Sequence, residues 1–298
     1  MKRRDGEKGK RMTEIEKSAV SISMLRKKKE AGEPIVALTA YDYPVAKIVD
    51  AAGVDLILVG DSLGMVVLGH PTTVPVTMDE MIHHTQAVTR AVKRAMVVGD
   101  MPYGSFHLSE EQTLANALRF IKDAGAGAVK IEGASARRLH LIESMVEAEI
   151  PVMGHVGLTP QSIKHLGRFK MAGKTDAEAE LILQSAVQLE QAGVFAVILE
   201  CIPMELAGIV TNRLTVPTIG IGAGPHCDGQ ILVFHDLVGF NNGYLPKFVK
   251  KYADLQTVLS EAVGGYAADV REGRFPEEIH SYHRKKNENG EKKEGQDL

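Results

Sequence analysis

Cysteine is nearly absent: Cys201 and Cys227 are the only two in 298 residues, and they form no CxxC pair. That excludes a disulfide framework and a cysteine-based zinc site, and it suits a reducing cytoplasm. Charge imbalance is missing as well, since a formal net charge of -3 gives no electrostatic footing for nucleic acid. No apolar run approaches the roughly 18 residues that a spanning helix needs, so no membrane is expected as a partner. The basic stretch Met1 to Arg11 has no apolar core behind it, which argues against a signal peptide. Residues 1–20 read as a disordered basic arm, and the polar low-complexity run 284–298 as a disordered charged tail. A dinucleotide fingerprint is lacking too, because Gly220-Ile-Gly-Ala-Gly224 does not have GxGxxG spacing and follows a late strand.

What is there is alternation. Apolar stretches of strand length begin near residues 35, 55, 95, 128, 152, 196, 217 and 231, the last read as Ile231–His235, and helical patterns separate most of them. Helix starts are marked by Asp42 with Pro44, by Thr77 with Glu80, by Ser109 with Gln112 and by Thr175 with Glu178. Thr159-Pro160 caps a further short helix, residues 64–77 form a long loop, and 254–272 read as a C-terminal helix. Eight near-continuous apolar strands in βα order predict a (β/α)8 TIM barrel over residues 21–283, with an open doubly wound sheet as the runner-up.

Acids recur where those strands end. Asp61, Asp100, Glu132 and Glu200 each close or follow an apolar run, and Ser62 stands beside the first. One such acid is most simply a helix cap, but a barrel gathers the carboxyl ends of all its strands around one mouth, where active sites of this architecture lie. Carboxylates crowded together persist only with a compensating cation or a shifted pKa. Lys130, two residues before Glu132, points to the same side of its strand and is one such cation. A bound metal is the other, and with oxygen donors and no Cys or His cluster, hard Mg²⁺ or Mn²⁺ is favoured over Zn²⁺. Three acids as metal ligands, directly or through water, and one as a general base is the division expected, although spacing does not say which is which. His155 is either a donor to a substrate oxygen or a core histidine satisfied by backbone. Cys201 reads as packing, and His70, His83, His84 and His107 receive no chemistry.

The segments Thr39–Tyr43, Val59–Met65, Lys130–Gly133, Gly154–Gln161, Leu199–Pro203, Ile219–Gly224 and Asp228–Val233 together resemble the ketopantoate hydroxymethyltransferase (3-methyl-2-oxobutanoate hydroxymethyltransferase) family, in matching order from Ser21 to His283. The resemblance implies a barrel of the phosphoenolpyruvate/pyruvate-binding type. The implied reaction moves a hydroxymethyl group from 5,10-methylenetetrahydrofolate to α-ketoisovalerate through a metal-stabilised enolate, in pantothenate and coenzyme A biosynthesis. It further implies one Mg²⁺ per subunit, a cytoplasmic location and a large homo-oligomer, commonly a homodecamer. By position, Asp61, Asp100 and Glu132 match the metal site, Asp61, Ser62, Asp100 and Lys130 the keto-acid contacts, and Glu200 the proton acceptor. Two other readings stand beside it. One is a related metal-dependent barrel C–C lyase or mutase for another 2-oxo acid, whose Lys-Lys-Cys-Gly-type loop is missing here. The other is a non-catalytic metabolite-binding protein, which needs no base at Glu200.

Overall fold

A computed structural model describes residues 19–162, 171–241 and 245–284. Eight parallel strands close on themselves: β1 (Ile35–Thr39), β2 (Leu56–Val59), β3 (Met96–Asp100), β4 (Ala128–Glu132), β5 (Val152–Gly157), β6 (Ala196–Glu200), β7 (Thr218–Ile221) and β8 (Gly229–Leu232). Pairing of β8 back onto β1, from Ile35 with Gly229 to Leu38 with Leu232, removes both sheet edges and rules out the doubly wound alternative. The expected arm and tail lie outside the described residues, apart from their inner ends at residues 19–20 and 284.

Strand alternation divides the core in two. Inward side chains, among them Ile35, Leu56, Leu58, Met96, Val98, Ala128, Met153, Ile198 and Ile231, fill the barrel interior. Outward ones, among them Ile57, Val97, Val129, Val152 and Val197, pack under the helical ring. After α1 (Ile22–Ala31), which precedes the barrel, that ring is built from α2 (Tyr43–Ala51), α3 (Leu63–Val66), α4 (Met78–Ala91), α5 (Glu110–Leu118), α6 (Ala136–Glu147), α7 (Asp176–Gln191) and α8 (Met204–Arg213). A short α9 (Phe234–Leu237) and the longer α10 (Leu255–Arg271) follow β8.

The predicted caps form. Asp42 accepts from the Val45 N–H at 2.8 Å, and both Thr77/Glu80 and Thr175/Glu178 make full reciprocal boxes. Ser109 makes only its own half, accepting from the Gln112 N–H. The last strand runs Gly229–Leu232, not Ile231–His235, because the Phe234 N–H is captured by the Thr39 hydroxyl at 2.9 Å and the chain turns into α9. Gly229 opens that strand because a Cβ there would meet the Ile35 carbonyl oxygen at 2.5 Å. The first residues of the expected 64–77 loop coil into α3. After Thr159 a 3₁₀ turn spans Pro160–Ser162, and residues 163–170 lie outside the described residues.

Candidate active site

Register assembles the site. On β3, β4 and β6 the inward phase that buries Val98, Ala128 and Ile198 carries on to Asp100, to Lys130 and Glu132, and to Glu200 at the carboxyl ends. Pairing then sets Asp100 beside Lys130 across β3 and β4, and Glu132 beside His155 across β4 and β5. Lys130 Nζ donates to Asp100 Oδ1 at 2.7 Å and lies 3.6 Å from Glu132 Oε1. Asp61 sits in the turn beyond β2, its N–H donating to Asp100 Oδ2 at 3.2 Å. The Ser62 hydroxyl shares a 2.8 Å hydrogen bond with Tyr41. Asp61, Asp100, Lys130 and Glu132 are therefore connected by contacts, and Ser62 is adjacent to Asp61 in the chain.

His155 joins the last member to the rest. It is buried, with Nδ1 3.5 Å from Glu132 Oε1 and Nε2 3.2 Å from Glu200 Oε2. The backbone-satisfied reading is replaced by a bridge between two carboxylates. Burial alone would push the imidazolium pKa down, but the Glu132 and Glu200 contacts outweigh it and hold the value up at about 9. A folded pKa above the ordinary 6.5 means that the stability His155 adds is complete below about pH 6.5 and lost as pH climbs through about 9. In chelator, the wild-type chain should therefore lose more unfolding free energy between those two pH values than His155→Gln does. Urea titrations at both pH values check this, and equal losses would contradict the bridge.

The acids differ in how they bear their burial. Burial first, then the charges of Asp100 and Glu132, raises the Asp61 pKa well above the carboxylate range. Burial likewise raises Asp100, although Lys130 opposes it. Burial also acts on Glu132, but Lys130, His155 and the Gln161 N–H outweigh it and hold its pKa low. Four carboxyl groups, Asp61, Asp100, Glu132 and Glu200, stand against two cations, Lys130 and His155, so acids outnumber cations in the pocket by two. Oxygen donors in that excess fit a hard divalent cation. Among the described residues no trio of His, Cys, Asp or Glu side chains is already closed into a metal cage.

Two members were not singled out from the sequence. Gln161 donates from Nε2 to Asp61 Oδ2 at 3.0 Å and to the Met101 carbonyl at 2.9 Å, and its N–H reaches Glu132 Oε2 at 3.2 Å. Its side-chain oxygen is buried with no hydrogen-bond partner among the described residues. Tyr41, fully buried, anchors Ser62, and its phenol pKa is raised chiefly by burial. Its carbonyl is within 2.6 Å of His84 Nδ1, a histidine given no role from sequence. A cavity of about 180 Å³ opens against Glu132 and Gln161, walled by Tyr103, Phe106, His107 and Arg138.

Backbone strain lies next to Glu200. Cys201 has φ +49°, a left-handed conformation uncommon for any residue with a Cβ, and its N–H donates to the Ile221 carbonyl at 2.9 Å. Its thiol is half-buried and pushed up to about 12, by burial first and the Glu200 charge second. Gly157, paired with Glu200, has φ +99°, and a Cβ there would meet the Glu200 carbonyl oxygen at 2.2 Å. Glycine is what lets β5 approach the strand end that carries the acid.

The model of the ketopantoate hydroxymethyltransferase family matches residues 19–278. The chain belongs to this family. A 3-methyl-2-oxobutanoate hydroxymethyltransferase from Thermoanaerobacter sp. (strain X514) is 54% identical over 270 residues, covering 91% of this chain and 98% of that relative. One from Geobacter sulfurreducens is 51% identical over 264 residues, 89% of this chain and 98% of that protein. Among solved structures, phosphonopyruvate hydrolase in complex with oxalate and Mg++ superposes with a TM-score of 0.58 at 13% identity, over 88% of this chain and 93% of that one. Likeness at that identity concerns the fold alone, and it agrees with the barrel type expected from the sequence. Family membership makes the chain an enzyme, a one-carbon transferase, and disfavours the lyase and non-catalytic readings. Among the described residues no helix is long and apolar enough to cross a membrane.

Proposed function

We infer that this chain forms ketopantoate by transferring a hydroxymethyl group from 5,10-methylenetetrahydrofolate to 3-methyl-2-oxobutanoate. The observation that carries the mechanism is the connected cluster from Asp61 through Asp100, Lys130, Glu132 and His155 to Glu200 at the barrel mouth. Asp61 and Asp100 would hold one Mg²⁺ per subunit, with Glu132 acting directly or through water. When bound, the ion supplies a Lewis acid that draws charge from the keto oxygen.

The remaining work falls to the chain itself. Asp61, Ser62, Asp100 and Lys130 orient the keto acid, and the buried ammonium of Lys130 offsets the carboxylate and the negative charge that develops on enolisation. Glu200 takes the proton from C3. With side-chain exposure of 17%, it is the least buried acid of the cluster and the one open to an incoming substrate. His155, held as a cation between Glu132 and Glu200, fixes the orientation of that carboxylate. Water hydrolyses the iminium form of the folate to formaldehyde and tetrahydrofolate, and the enolate carbon adds to the formaldehyde carbon, whose oxygen takes up a proton and becomes the hydroxyl of the product. Residues 21–283 serve as one catalytic unit, and we place the protein in the cytoplasm as a homo-oligomer.

Incubation of the full chain with 3-methyl-2-oxobutanoate, 5,10-methylenetetrahydrofolate and Mg²⁺ should yield ketopantoate by mass spectrometry, and EDTA should abolish it. A chain that leaves this mixture unchanged yet cleaves another 2-oxo acid would overturn the reading in favour of a lyase.

A further inference from the structure

Three of the four carboxyl groups in the cluster face a cation. Asp100 meets Lys130 at 2.7 Å, Glu132 lies 3.6 Å from Lys130 and 3.5 Å from His155, and Glu200 stands 3.2 Å from the same histidine. Asp61 is the exception. It is only 4% exposed, yet among the described residues no Lys, Arg or His comes within ion-pair reach of it, and its one side-chain hydrogen-bond donor is the neutral amide of Gln161, at 3.0 Å.

The partners of that amide settle which way it points. Nε2 spends both of its N–H groups, one on Asp61 Oδ2 and one on the Met101 carbonyl at 2.9 Å, and a flipped amide would set its oxygen against two acceptors. Asp61 Oδ1 makes no hydrogen bond among the described residues. The backbone around Gln161 is held without help from its side chain. The Leu158 N–H donates to the Glu200 carbonyl at 2.8 Å, the Ser162 N–H to the Thr159 carbonyl at 2.9 Å, and the N–H of Gln161 itself to Glu132 Oε2 at 3.2 Å. One residue thus touches two of the three acids assigned to the metal, Glu132 through its backbone and Asp61 through its side chain.

A neutral donor in this place has a chemical reason. A carboxylate ligates an ion well when it is held in one orientation, and the groups behind the ligands set that orientation. Lysine or arginine would hold Asp61 more strongly, but would also offset the charge that attracts the ion. An amide orients without neutralising. We propose that Gln161 is a positioning residue for the divalent ion: its amide fixes Asp61 through Oδ2 and leaves the charge of the carboxylate to the ion. The inference rests on the metal site assigned above to Asp61, Asp100 and Glu132.

Mn²⁺ binding to the full-length chain, read from the EPR signal of the free ion with and without 3-methyl-2-oxobutanoate, tests this with no turnover involved. Gln161→Met keeps the length of the side chain and removes the donor. It should retain the circular dichroism of the wild type and weaken Mn²⁺ binding by about 10–100-fold, the cost of losing a group that orients a metal ligand. Gln161→Lys supplies a cation instead and should bind Mn²⁺ more weakly still, a ranking by charge that a packing role would not produce. Should the Met chain fail to fold, the Lys chain, able to pair with Asp61, carries the test. A folded variant of either kind whose Kd rises by less than about tenfold would overturn the proposal, as would a Lys chain that binds as tightly as the Met chain. A wild type that binds no Mn²⁺ in either condition would overturn the metal site and the positioning role together.

Discussion

Glu200→Gln will keep the fold and lose hydroxymethyl transfer by about 10²–10⁴-fold, the range for removing a positioned general base. The amide preserves the size of the side chain and its place at the end of β6, 3.2 Å from His155 Nε2, but takes up no proton. Glu132 remains paired with His155, so the stability lost with the Glu200 charge is small beside the loss of rate. The loss should therefore appear in kcat, with only a small fall in melting temperature. Steady-state rates beside a thermal melt separate the two, and a variant keeping a tenth or more of wild-type kcat would remove Glu200 from the role of base.

Lys130→Met will have the largest effect on stability, about 3–5 kcal/mol in metal-free protein, as expected when one partner of a buried ion pair is deleted. Lys130 is 3% exposed and meets Asp100 at 2.7 Å and Glu132 at 3.6 Å, so its removal leaves both acids buried without their shared cation. Attraction from those carboxylates overcomes the burial that opposes its charge and raises the ammonium pKa, which keeps the cation in place at neutral pH. A divalent ion bound by the same carboxylates stabilises the folded state by mass action, so Mg²⁺ should restore part of the loss. Denaturant titrations of wild type and variant, in EDTA and in excess Mg²⁺, measure both effects. A deficit below about 1 kcal/mol in EDTA would mean that the pocket does not depend on its internal cation.

Much of this site was legible because strand periodicity carries chemistry as well as packing. Lys130 and Glu132 are two residues apart on one strand, so their shared inward face followed from the sequence, as did the common mouth for Asp100 and Glu200. The pairing of Glu132 with His155 did not, since it depends on the stagger between β4 and β5, which is fixed when the whole barrel closes. His155 was therefore left between two roles and turned out to bridge two acids. Gln161 was hidden for a related reason. It lies within the 3₁₀ turn Pro160–Ser162, and its partners Asp61 and Met101 are 100 and 60 residues away. Tyr41 was not singled out, because nothing local announces a bond to Ser62 across 21 residues. The strand at β8 was misplaced by two residues because Gly229 and Gln230 break the apolar run, although backbone pairing continues through both. The C-terminal helix was found at nearly its true limits, but that none of its residues is buried is a tertiary fact that amphipathic spacing does not reveal.

The central claim is that Glu200 and a metal held by the strand-end acids together enolise the keto acid. Its most direct test is hydrogen–deuterium exchange at C3 of 3-methyl-2-oxobutanoate in D₂O, followed by NMR, with wild type and Glu200→Gln, each with Mg²⁺ and with EDTA, and with tetrahydrofolate present to occupy the folate site. Exchange by the wild type in Mg²⁺ alone, lost in EDTA and lost in Glu200→Gln, is the predicted result. Equal exchange by wild type and Glu200→Gln would contradict it and assign the proton to another group.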